Sequence, residues 1–244
     1  MILTALSIYC AYDHFHNNLK DINLNIIRND EKGFVDYDKT YKTILEICDT
    51  ANNNQIRMIN VDSVIDALMT NPWIIDAEAS IDLNTYLNVE ITECDPIVRV
   101  YNKKGKSVYI DKNGNIFPTE NQHVPHLLVV SGIDFTTDKL GNVYDDDYVN
   151  TNLPQTFNLI KEVLDNNYAK SYIRQIHYDK KKNYIFSVNN TNIIVIFGDV
   201  NNIKEKLLKM KHFFDTMQGN PELDNYKEIN LNYKNQVVCT KIKK

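Results

Sequence analysis

Glycine is scarce in this sequence, with seven in 244 residues, and the scarcity removes a class of functions. Loops that cradle phosphate need glycine where the backbone turns sharply or approaches a ligand closely. Neither G-x-x-x-x-G-K-[ST] nor G-x-G-x-x-G occurs, so the common nucleotide-binding loops are excluded. G-x-S-x-G and H-E-x-x-H are also absent, and with them the nucleophile elbow and the helical zinc-protease site. The four cysteines, Cys10, Cys48, Cys94 and Cys239, form no C-x-x-C pair and show no zinc-site spacing with histidine. They fix no redox compartment, and buried thiols are expected at Cys94 and Cys239, where strands are expected. A net charge of -5 without a basic stripe argues against nucleic acid as the main partner. The runs Lys180-Lys181-Lys182 and Lys241-Ile242-Lys243-Lys244 are short and read as a solvated turn and a solvated tail.

A membrane-spanning helix needs about 20 apolar residues, and the N-terminal run over residues 2–12 is shorter. No basic segment precedes it and no small-residue cleavage site follows. Tyr9 before Cys10 does not fit a lipoprotein signal. A truncated membrane anchor or a buried helix remain, and the anchor is the expectation carried forward for residues 1–20.

What is present is ordinary globular material, 43% apolar and 24% charged, enough for one large or two small domains. Alternation over residues 22–28 predicts a strand, and apolar spacing over 34–47 predicts a helix. A second helix is expected over 61–70, capped by Asn60 or Asp62 and stopped by Pro72. It should bury Val61, Ile65 and Leu68 and expose Asp62, Ser63, Asp66 and Thr70. Strands over 73–81 and 85–93 flank the turn Asp82-Leu83-Asn84. The order β-α-α-β-β makes a small α+β domain.

After Pro96 the pattern is strand after strand, over 97–101, 108–111, 115–117, 126–130, 172–177, 184–188 and 192–197. Two helices interrupt it, over 153–166 and 203–217. Asn202 and Glu205, three apart, have capping-box spacing. The chain therefore reads as α+β, a first domain followed by a mainly antiparallel β-domain with two helices. Asp145-Asp146-Asp147 lacks the alternating oxygens and glycine of a calcium loop and reads as a solvated acidic loop. His123-Val124-Pro125-His126 reads as a strand entry. Asp111 beside Asn113 and Gly114 is turn chemistry, with the carboxylate accepting backbone N–H groups. Trp73 is expected to pack between helix and sheet. No catalytic or metal-binding residues and no cofactor are indicated.

The last strand is expected over residues 229–240, without proline, at a sheet edge. Ile229, Leu231, Tyr233, Val237 and Cys239 would share one face, and Asn230, Asn232, Lys234, Gln236 and Val238 the other. An edge strand that is not blunted is a template for another strand. That favours a binding protein over an enzyme.

Several segments carry a resemblance. Trp73-Ile74-Ile75-Asp76-Ala77 after a helix is followed by Leu87-Asn88-Val89-Glu90-Ile91-Thr92-Glu93-Cys94-Asp95-Pro96. These resemble the end of the POTRA domain in the FtsQ/DivIB cell-division family, with P-x-V-x-x-A and then L-x-V-x-V-x-E-x-x-P. Tyr109-Ile110-Asp111 with Gly114 and Phe117 resembles the Y-I-D-x-x-G-x-x-F hairpin. Pro125, Leu127 and Gly132 are similar to L-P-x-L-x-G. Phe197-Gly198, then Lys206-Leu207, resembles the glycine followed by K-L on a helix. The stretch 229–239 resembles the terminal strand of the Bacteroidetes version. Cys94 stands where the family pattern E-R-x-P has arginine, which removes a surface charge.

The resemblance implies a truncated anchor and juxtamembrane segment at 1–20, a POTRA domain at 21–95 and an FtsQ-type β-domain at 96–244. The two domains would pack end-on, with limited swing at Pro96. It implies a non-enzymatic divisome scaffold of the inner membrane, bitopic, with its domains in the periplasm at the division septum. Partners would be proteins resembling FtsB and FtsL, with FtsK or the septal synthase complex as further ones. Binding by strand addition would use Tyr233, Asn235, Gln236, Val237, Val238 and Cys239. Recruitment would use Asp62, Ser63, Asp66 and Thr70. A POTRA-containing outer-membrane assembly or secretion component is the alternative, although the sequence lacks repeated POTRA units and a barrel. An enzyme of unrecognised fold would reveal itself by a deep polar pocket with a perturbed carboxylate or histidine.

Overall fold

The structure, a computed structural model, describes residues 17–29, 33–50, 55–119, 125–137, 139–181, 183–189 and 191–242. The expected anchor over 2–12 and the His123 half of the histidine pair lie outside these residues. The chain divides into two compact units, Met1–Asp95 with Asn121–Val124, and Pro96–Glu120 with Pro125–Lys244.

The first unit contains β1 (Asp21–Ile27), α1 (Tyr37–Thr50), a 3-10 turn (Ile56–Met58), α2 (Val61–Met69), β2 (Ile74–Ile81) and β3 (Tyr86–Glu93). The sheet order is β1-β3-β2, with β1 parallel and β2 antiparallel to β3. Ile44, Cys48, Val64 and Leu68 from the helices and Leu87, Val89 and Ile91 from β3 are buried. In α2 the Asn60 side chain accepts from the N–H groups of Asp62 and Ser63 at 3.1 and 3.4 Å, as an N-cap does. Its buried stripe is Val64 and Leu68, four apart. Val61 and Ile65 are only half-buried, so the apolar stripe is rotated from the expected Val61, Ile65 and Leu68. Asp62, Ser63, Asp66 and Thr70 are exposed.

Helix α1 starts three residues later than its apolar spacing suggests, because Phe34 belongs to the preceding loop. Its ring stacks on Trp73 at 4.5 Å, with 3° between the planes. Trp73 is buried. The loop is held by the buried Glu93 carboxylate, whose two oxygens accept the N–H groups of Phe34 and Val35. Arg28 Nε lies 3.7 Å from the same carboxylate.

The second unit contains β4 (Pro96–Asn102), β5 (Ser107–Asp111), β6 (Ile116–Pro118), β7 (Leu128–Ile133), α3 (Asp146–Val149), α4 (Leu153–Asp165), α5 (Asn167–Tyr172), β8 (Ile173–Asp179), β9 (Asn183–Val188), β10 (Ile194–Gly198), α6 (Ile203–Met217), a 3-10 turn (Pro221–Asn225), β11 (Tyr226–Asn230) and β12 (Val238–Lys241). Its nine-stranded sheet has the order β12-β11-β10-β9-β8-β7-β4-β5-β6. Five neighbouring pairs are antiparallel and three are parallel. The sheet is therefore more mixed than the hairpin-rich sequence suggests. The four helices exceed the expected two: α5 is a short helix after Asn166, and the aspartates read as a loop open α3.

One row of opposed residues crosses the sheet: Val108, Val100, Val130, Ile176, Phe186, Val195, Ile229 and Cys239. It shares a core with Phe157 and Ile160 of α4 and with Leu207, Met210 and Phe214 of α6. In the β5–β6 turn, Asp111 Oδ1 accepts from Asn113 N and Asn115 N at 2.9 and 2.8 Å, as the sequence predicts. The expected capping box before α6 does not form. Asn202 is left-handed (φ 54°) and makes no side-chain cap. The turn is made instead by Asp199, whose carboxylate accepts from Asn201 N at 3.1 Å.

Candidate partner-binding edge

A sheet with two ends has two edges, and these two differ. At one, β6 is three residues long and ends on Pro118. Ile116 N there donates to Gly141 O at 2.8 Å, and Asn115 bridges to Asn142. Shortness, proline and a covering loop are the usual ways to blunt an edge. At the other, no strand lies beyond β12 among the described residues.

The expected single strand over 229–240 is a hairpin. β11 ends at Asn230, the chain turns over residues 231–237, and β12 returns antiparallel to β11. The face assignment for Leu231, Asn232, Tyr233, Lys234, Gln236 and Val237 therefore fails, because these residues are not in a strand. Asn235 adopts φ 56° within the turn, a conformation asparagine tolerates better than most residues. Of the six proposed contact residues, Tyr233, Asn235, Gln236 and Val237 lie in the connection, and Val238 and Cys239 lie in β12.

Period-two geometry assigns the backbone groups of β12. Ile242 N donates to Asn225 O at 2.8 Å, so Thr240 and Val238 also turn their backbone toward β11. Cys239 and Lys241 present theirs to the open side. The side chains divide the other way, across the two faces. Cys239 continues the core row opposite Ile229 and packs against the core, and burial pushes its thiol pKa up. Val238, Thr240 and Ile242 are exposed on the opposite face.

Helix α6 anchors the hairpin connection. Lys209 Nζ donates to Leu231 O at 2.8 Å and Tyr233 O at 2.9 Å, while Leu231 N donates to Ile196 O at 3.0 Å. Gly198 has φ 81°, and a Cβ there would meet Asn232 Oδ1 at 1.7 Å, so only glycine lets the connection cross the end of β10. Lys206, which is buried, donates to Asp199 Oδ1 at 2.6 Å and holds the Asp199 carboxyl below its usual pKa. The glycine and the K-L pair singled out by sequence thus build the support of the hairpin. Leu208, His212, Phe213 and Met217 of α6 face Asn235, Gln236 and Val237 across a groove of about 590 Å³.

Replacing Lys209 by methionine keeps the aliphatic stem and removes both donors. The expected cost is about 1–2 kcal/mol for two partly exposed carbonyl bonds, with faster amide exchange over 231–237. Unchanged exchange there would show that Lys209 does not anchor the connection.

The α2 residues proposed for recruitment, Asp62, Ser63, Asp66 and Thr70, lie along one exposed side of that helix in the first unit. The described residues contain no cluster of three or more metal-ligand side chains. Sequence reasoning missed a polar group on the sheet, where Ser131 Oγ lies 2.9 Å from His177 Nδ1 and accepts from Gln175 Nε2 at 3.3 Å. The three residues come from adjacent strands, and no local spacing announces them.

Among the described residues no helix is long and apolar enough to cross a membrane. A family model described as FtsQ/DivIB, C-terminal related, matches residues 95–240. The cell division protein DivIB of Clostridium tetani is 24% identical in an alignment covering 99% of this chain and 86% of that protein. The family match covers the nine-stranded sheet except Lys241, the last residue of β12. The chain belongs to the FtsQ/DivIB family of cell-division proteins.

Proposed function

We propose that the protein is a non-enzymatic scaffold of the divisome, held at the inner membrane by an anchor that includes residues 2–12. Its two domains, a POTRA domain over 21–95 and a β-domain over 96–244, work outside the cytoplasm at the septum. Proteins resembling FtsB and FtsL are bound by strand addition at β12, and the exposed side of α2 serves recruitment, FtsK or the septal synthase complex being the candidates. One observation carries the reading: among the described residues the sheet blunts its β6 edge and leaves β12 open. Backbone groups of Cys239 and Lys241 give an incoming strand its hydrogen bonds, and Tyr233, Asn235 and Val238 lie where its side chains are selected.

The test is co-purification of the full-length, membrane-anchored protein with its FtsB- and FtsL-like neighbours. Deleting residues 238–244 removes the open strand and should abolish capture. Capture that survives the deletion would sink strand addition.

A further inference from the structure

We propose that the tip of the β2–β3 hairpin is a membrane-contacting finger, with Leu83 seated in the interfacial layer of the bilayer. The inference rests on the reading of residues 2–12 as part of a membrane anchor. Leu83 is 89% exposed, the most exposed large apolar side chain among the described residues. A leucine so exposed carries no meaning alone. Its setting does.

The tip is held in one shape. Asp82 Oδ1 accepts from Asn84 N at 2.8 Å and Tyr86 N at 3.0 Å, and Asp82 O accepts from Thr85 N at 3.0 Å. Thr85 is buried at φ 69°, strained for a β-branched residue, and its hydroxyl has no partner. Strain is retained where surroundings over-determine it, and such places cluster at functional sites.

The tip also lies where the chain arrives from its N-terminal apolar run. Lys20 N donates to Thr85 O at 2.9 Å, Ile56 N donates to Asn17 O at 3.1 Å, and Asn18 bridges to Gln55. These contacts bring the hairpin tip and the 3-10 turn to either side of residues 17–20. Met58, 45% exposed, and Arg57 lie on that turn, and Lys20 Nζ sits 5.8 Å from the centre of the Tyr86 ring. Exposed leucine and methionine, a tyrosine ring and two long cations are what the headgroup layer accepts. Asp82 is engaged by its own turn, and Asp21 by Ile22 N and Tyr41 Oη at 2.8 Å each. Asn17 follows Tyr12 by five positions, a reach of at most about 18 Å, which keeps this end of the unit near the bilayer surface.

The test places tryptophan at the tip of the full chain, as Leu83→Trp, in phosphatidylcholine vesicles with or without brominated acyl chains. Trp73, the sole native tryptophan and buried, lies just before the other end of β2, about 25 Å away by strand rise, so the wild-type protein supplies the baseline. Flotation reports the anchor, and quenching of the added emission reports the tip. The expected result is flotation of both proteins, with a blue-shifted added emission that brominated chains quench. Flotation without quenching, repeated for Asn84→Trp, would overturn the finger and leave the anchor standing. Failure to float would overturn both.

Discussion

Proline at Lys241 should reduce partner capture at least tenfold and leave the fold intact, whereas proline at Val238 should destabilise the hairpin itself. The contrast follows from the parity of β12. The Lys241 N–H faces the open side, so removing it costs the native sheet about 0.5 kcal/mol or less. A bound strand loses one backbone hydrogen bond and meets the ring, together about 1.4 kcal/mol or more, which is a factor of ten. The Val238 N–H faces Asn230 across the β11–β12 pair. Proline there removes a ladder bond and should cost about 1–3 kcal/mol, lowering the melting temperature before it lowers affinity. Titration with the purified FtsB-like partner, beside thermal unfolding of each variant, separates the two. Equal binding by wild type and Lys241→Pro would show that the partner does not add a strand at this edge.

Glu93→Ala should cost about 3 kcal/mol of stability in the first unit. The carboxylate is buried, and its oxygens serve one N–H each, those of Phe34 and Val35. Alanine removes the acceptor that both N–H groups use beside Arg28, and each buried hydrogen bond broken in this way costs about 1–3 kcal/mol. Glu93→Gln should rescue little, because the amide turns an NH2 group against one of those donors. Trp73 stacks on Phe34, so denaturant unfolding followed by tryptophan emission reads this unit directly. Full stability in Glu93→Gln would show that one acceptor suffices and that the two-oxygen clamp is not what holds the loop.

The elements read best from sequence are those whose evidence is local. Residues 203–217 carry a helical apolar stripe ended by glycine, asparagine and proline, and α6 spans Ile203–Met217. The Asp111 turn also follows from four neighbouring residues. The terminal hairpin did not read as one, because residues 231–237 contain neither glycine nor proline and continue the alternation of a strand. Its reversal depends on Lys209, Gly198 and Ile196, more than thirty residues upstream in the last two cases. Glu93 shows the same limit. Its place in a motif is visible, but the loop it clamps lies 58 and 59 residues away. That this segment supplies strand is legible, by contrast, because residues 229–240 contain no proline.

The row from Val108 to Cys239 has a consequence for what can dock. Because each residue lies directly opposite the next, the core acts as a ruler that fixes the phase of β12. A guest strand inherits that phase, and its residue facing Cys239 must point to the helix-covered side, while those facing Val238 and Thr240 point away. A slip by one position would invert the guest completely. The hydrophobic interior thus reads a partner's pattern of alternation at a distance, through residues the partner never touches.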